Sequence, residues 1–194
     1  MRHALSALTT AFAAALASTA AAQTADFKCP AAGTQFTYKG GAFERVLTAT
    51  GQDGKVCLFS SVSNGKTEAL RVHWGLVGSV DAQGEAFATG LDLGSLWPLK
   101  VGNKITNTVS LVGRDGKTYT STVSLIVAAY EKVAVPAGTF DAFRVEESKA
   151  NDKTRNVHWW APAVAQSVKE SFPDWQDLAK VIVLELTARK APGK

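Results

Sequence analysis

The chain has 194 residues, of which 46% are hydrophobic, 20% charged and 9% aromatic, with 21 Lys and Arg against 17 Asp and Glu. That balance suits one domain with its own core and excludes a disordered tail, a collagen-like repeat, a disulfide-dense miniprotein and a coiled coil. The basic excess is small and scattered, so no nucleic-acid patch is formed, and attraction to anionic surfaces through net charge is weak.

Residues 1–22 read as an export signal. Arg2 and His3 make a short basic start, Ala4 to Ala17 an apolar stretch, and Ala20-Ala21-Ala22 the small residues that a signal peptidase reads, which places cleavage before Gln23. The apolar stretch falls short of the ~20 residues a membrane span needs. Cys29 follows Asp26-Phe27-Lys28 instead of small residues, which argues against lipid anchoring. The mature product is expected to be periplasmic or secreted, with one domain over 23–190 and a frayed tail at 191–194. Two cysteines in an exported chain pair. A Cys29–Cys57 bridge would close a loop of roughly 29 residues, worth about 3.6 kcal/mol on the loop-entropy model. The C-x-x-C spacing of a redox-active pair is absent.

Turn dipeptides recur through the mature chain at Gly40-Gly41, Asp53-Gly54, Asn64-Gly65, Gly102-Asn103 and Asp115-Gly116. Several are the pairs that two-residue hairpins prefer, because they accept positive φ at little cost. Between them the sequence alternates with period two. Leu70, Val72, Trp74 and Leu76 share one face. Tyr119, Val123, Leu125 and Val127 share another, and Ile182, Leu184, Leu186 and Ala188 line a last strand. Helical periodicity is scarce, the best candidate being a short helix or turn near 173–179. The expected fold is all-β: a curved antiparallel sheet or half-open β-barrel of about nine to eleven strands.

Motifs for chemistry are missing. There is no G-x-S-x-G elbow. Gly65-Lys66-Thr67 and Gly116-Lys117-Thr118 imitate the end of a phosphate loop but lack its first glycine and fall in hairpin turns. His73 and His158 lack an H-x-x-x-H partner and read as surface or interface residues, so no metal site and no cofactor are indicated. Glu146 and Glu147 are adjacent and point to opposite faces of a strand.

Two hairpins are more specific. Tyr130 to Glu146 contains Val135-Pro136-Ala137-Gly138-Thr139-Phe140-Asp141-Ala142-Phe143-Arg144-Val145-Glu146, and Val157 to Lys169 contains Trp159-Trp160-Ala161-Pro162-Ala163-Val164-Ala165. Together they resemble a group of bacterial envelope β-domains with a VPAGTFDAxRVE hairpin followed by a WYAPGVGxVK hairpin. Ala163 and Ala165 stand where that group has glycines. The resemblance implies a half-open antiparallel barrel, similar in shape to lipoprotein carriers, in the bacterial envelope; it brings no catalytic residues.

The expected function is a non-enzymatic binding or carrier module with a concave apolar groove for a lipid, a hydrophobic small molecule or a peptide. Trp74, Trp97, Trp159 and Trp160 are its candidate lining residues, and Trp159 and Trp160 must face opposite sides of their strand. The alternatives are an envelope scaffold that binds a protein partner and an enzyme whose polar groups come from distant strands. A small outer-membrane barrel fits less well, since paired aromatic girdles are absent.

Overall fold

The computed structural model describes residues 23–80, 86–89, 92–112, 117–150, 155–174 and 177–193. The signal segment and the Asp115-Gly116 turn lie outside these residues. Twelve strands are seen: β1 Gln35–Gly40, β2 Phe43–Asp53, β3 Val56–Ser63, β4 Lys66–His73, β5 Val77–Val80, β6 Ala86–Thr89, β7 Lys104–Val112, β8 Thr118–Val135, β9 Gly138–Lys149, β10 Arg155–Ala161, β11 Gln166–Asp174 and β12 Asp177–Lys190. One 3-10 turn, Gly94–Leu96, precedes β7. Near 173–179, where a short helix or turn is expected, the described residues belong to strands: Pro173 and Asp174 end β11, and Asp177, paired with Asp174, opens β12. Among the described residues the strands number one more than the expected nine to eleven, and β5 and β6 are the shortest, with four residues each.

All twelve strands form one antiparallel sheet in the order β5-β4-β3-β2-β1-β12-β11-β10-β9-β8-β7-β6. Every neighbour in that order is also a neighbour in sequence, except β1 and β12. The sheet is therefore an up-and-down meander whose first and last strands pair and whose two edges, β5 and β6, follow one another along the chain. It is curled but not closed. Phe27 meets both Trp74, just after β4, and Trp97, ahead of β7, although eight strands separate β4 from β7 in the sheet order.

Bulges drive that curvature. Thr50, Ala128, Val168 and Thr187 each stand unmatched opposite a continuous partner strand. The bulge at Thr187 also reverses the alternation of β12. Leu184 and Leu186 point inward as expected, but Ala188 pairs with Thr37 and is exposed.

The concave face holds the core in two clusters. One gathers Phe36, Tyr38, Leu47, Phe59, Leu184 and Leu186, and the other Leu93, Leu96, Leu99, Leu125, Phe143 and Trp160. The β8–β9 turn caps the first: the Ala137 N–H donates to the Leu186 carbonyl at 3.0 Å, which docks the hairpin tip on β12. Phe140 packs on the first cluster, while Phe143 belongs to the second and meets the Tyr130 ring at 4.6 Å. The disulfide Cys29–Cys57 is formed and ties the N-terminal arm to β3, with Cα atoms 5.4 Å apart.

Candidate functional site

Cross-strand register puts a row of charged side chains on the concave face. Directly paired residues share a face. Arg45 of β2 pairs with Tyr38, which pairs with Leu186, so Arg45 points inward. Glu170 of β11 pairs with inward Leu184 and with His158 of β10. His158 pairs with buried Val145, and Glu147, two residues further along β9, pairs with Leu125 and Asn156. Lys149 pairs with buried Val123 and extends the row.

The side chains meet across the sheet. Arg45 lies over the Tyr38 ring, 5.3 Å from its centre, and its Nη2 reaches Glu170 Oε2 at 2.7 Å. His158 Nε2 stands 4.0 Å from Glu147 Oε2, a charge contact and not a hydrogen bond, and Asn156 Nδ2 donates to Glu147 Oε2 at 3.2 Å. The side chains of Arg45, Glu170, His158 and Glu147 are 19%, 16%, 15% and 9% exposed.

Their titration reflects mutual compensation. Burial pushes the His158 imidazole down, but the carboxylates of Glu147 and Glu170 outweigh it and hold its pKa above the usual value. Burial likewise raises the glutamates, yet His158 and Asn156 hold Glu147, and Arg45 and His158 hold Glu170, below the ordinary carboxylate range. The Tyr38 phenol is pushed up by burial and by Glu170, and its O–H donates to the Ser167 carbonyl at 2.7 Å. Buried ion pairs add little net stability once desolvation is counted. Four such groups gathered on one face beside an apolar cluster mark a candidate site.

The second part of the site is aromatic. Trp160 follows His158 as the next inward residue of β10 and is completely buried. Its ring meets Trp97 at 5.0 Å, nearly perpendicular, and Phe27 from the N-terminal arm lies 5.5 Å from both Trp97 and Trp74. Trp74 is not on β4 as the alternation suggested. The strand ends at His73, and Trp74, with φ 51°, and Gly75 turn the chain toward β5. The concave face is thus bipartite: along β10, Asn156 and His158 are polar and Trp160 is apolar. Along β9, Glu147 is polar and Phe143 apolar.

Of the four tryptophans singled out from sequence, Trp74, Trp97 and Trp160 come together. Trp159 lies on the convex face, where it donates from Nε1 to Glu131 at 2.7 Å and carries Lys169 over its ring. That face also holds the ion pairs Arg144–Glu146 and Lys169–Glu185, the opposite of the apolar belt of a membrane barrel. Among the described residues no helix is long and apolar enough to cross a membrane. The sequence does not single out Arg45, Glu147 or Glu170 as site residues, and His158, expected at the surface or an interface, stands on the concave face with its side chain 15% exposed. One signal was available: Phe143, Val145 and Glu147 alternate, which puts a carboxylate at an inward position.

A shallow recess of about 430 Å³ opens on the convex side between the β1–β2 turn and the tip of β8–β9, lined by Lys39, Gly40, Pro136 and Val183 among others. Gly40 is required there, since a Cβ would collide with the Val183 carbonyl.

No family model and no curated protein matches the chain. Among solved structures, the hypothetical lipoprotein YmcC from Escherichia coli K12 superposes with a TM-score of 0.51 at 13% identity, covering 82% of this chain and 85% of its own. The fold is therefore of the YmcC type. An exported-protein candidate with a YmcC-like fold from Bacteroides fragilis gives 0.48 at 17% identity, covering 86% and 99%. A lipoprotein candidate from Parabacteroides distasonis gives 0.43 at 11%, covering 87% and 100%.

Proposed function

We propose that the protein is a non-enzymatic binding module of the bacterial envelope that takes an amphipathic ligand on its concave face. The observation that carries this reading is the division of that face along β10, with His158 in the charged row and Trp160 in the aromatic nest at consecutive inward positions. The polar end of a lipid-like molecule would meet Arg45, Glu170, His158 and Glu147, and its apolar part would lie toward Trp97 and Trp74. Half-open sheets with few polar groups placed beside apolar walls are suited to such ligands. The disulfide and the export signal support a place outside the cytoplasm, as does the lipoprotein description of the fold's neighbour. Both cysteines of the chain are consumed by that disulfide, which supports a form without a lipid on Cys29.

The test is to purify the protein from its own envelope under non-denaturing conditions and identify extracted small molecules by mass spectrometry. A stoichiometric amphipath is expected; an empty protein contradicts the reading. The convergence of titratable groups around His158 also favours a second reading, an acid–base enzyme. A molecule that is recovered chemically altered after incubation with the protein would support it over simple binding.

A further inference from the structure

Residues 23–28 form an arm at the open side of the sheet. Two of its residues face inward, Ala25 and Phe27, while Gln23, Thr24, Asp26 and Lys28 are exposed. The arm is held by a pair of backbone hydrogen bonds, Ala25 N–H to the Leu99 carbonyl at 3.1 Å and Leu99 N–H to the Ala25 carbonyl at 2.8 Å. Lys55 covers it, with Nζ 5.3 Å from the Phe27 ring and 5.2 Å from the Trp74 ring. Its far end is fixed by Cys29 to Cys57 of β3. Among the described residues two backbone hydrogen bonds, the burial of Ala25 and the ring contacts of Phe27 hold the arm, so it opens at lower cost than the strands and stays hinged at the disulfide when it lifts.

The arm also bridges the two sides of the open sheet. Trp74 follows β4 on one side, Trp97 and Leu99 precede β7 on the other, and Phe27 wedges between the two indoles. Beneath it, Trp97 Nε1 and Trp160 Nε1 are buried and have no hydrogen-bond acceptor among the described residues. Leaving a buried donor unpaired is costly, and a finished core leaves few of them. Trp160 Nε1 faces Gly75, 3.2 Å from where a Cβ would stand, so the turn carries no side chain above it.

We infer that Phe27 is a stand-in for the ligand: the notch between Trp74 and Trp97 is the docking position of the ligand's apolar group, and the arm swings out on its disulfide hinge when the ligand enters. This rests on the amphipathic-ligand reading above and adds to it a site and an order of events. The ligand it fits has an aromatic or chain-like apolar group and an oxygen acceptor within reach of the two indole N–H groups.

Hydrogen exchange on the disulfide-intact protein, with and without saturating 11-(dansylamino)undecanoic acid, tests the swing. Bound protein should exchange the Ala25 and Leu99 amides at least fivefold faster, while β1 and β12 amides are unchanged. Phe27→Ala, by removing the internal competitor, should bind the probe about tenfold more tightly. Saturable binding with Ala25 and Leu99 equally or better protected overturns the swing but leaves the binding function standing. Absence of binding by both the wild type and Phe27→Ala overturns both.

Discussion

Arg45 Nη2 lies 2.7 Å from Glu170 Oε2, although two strands separate β2 from β11 in the sheet and 125 residues separate the pair in sequence. The contact exists because the sheet curls and because Arg45 is laid along the concave face over the Tyr38 ring. It ties the N-terminal meander to the C-terminal one from the inside. Arg45→Ala should therefore cost about 2–3 kcal/mol in denaturant unfolding, somewhat below the cost for a fully buried pair. The double variant Arg45→Met with Glu170→Leu should recover most of that loss. Equal loss in both variants would show that packing, and not an uncompensated charge, sets the cost.

The row also predicts the pH dependence of stability. His158 is raised in the folded state, so its contribution is fully present below the unfolded value near 6.5 and is lost as pH rises through the folded pKa. Glu147 and Glu170 are depressed, so theirs is present above about 4.5 and is lost as pH falls through the folded values. These groups together favour a maximum between those limits. Denaturant midpoints at pH 5.5 and 8.5 should differ more for the wild type than for His158→Gln. An unchanged difference in the variant would remove His158 from the account.

Ala165 in the β10–β11 corner has φ 54°, a conformation costly for an L side chain. Ala165→Gly should stabilise the protein by about 0.5–1 kcal/mol, since the relief exceeds the extra entropy of the unfolded chain. Thermal unfolding measures it directly, and a lower midpoint would contradict it.

The neighbouring tryptophans should behave differently on truncation. Trp160 is entirely buried, so Trp160→Ala should lose about 3–5 kcal/mol. Trp159 is partly buried on the convex face, beside Glu131 and Lys169 and against the edge of the first cluster, and Trp159→Ala should lose less, about 1–2 kcal/mol. Chemical denaturation of the two variants side by side decides it.

Alternation and turn chemistry were enough to read the antiparallel sheet and the hairpin at Pro136 to Gly138, and two cysteines behind an export signal were enough to read the Cys29–Cys57 bridge. What escaped did so for physical reasons. Alternation is a local pattern, and a single bulge reverses it, as Thr187 does for Ala188. Trp74 carries its own turn in a left-handed conformation that no Gly or Asn at that position announced. The charged row is assembled by curvature: Arg45, Glu147, His158 and Glu170 are unremarkable one by one, and only cross-strand register puts them on one face. The aromatic supply was visible, but its partner Phe27 reaches the nest from outside the sheet.

Binding of an amphipathic ligand to the bipartite concave face is read by fluorescence titration with 11-(dansylamino)undecanoic acid. The wild type should saturate at one site, with affinity at least fivefold weaker in Trp97→Ala and in His158→Gln and within twofold of wild type in Trp159→Ala. Non-saturable binding, or equal losses in the concave and convex variants, would contradict it.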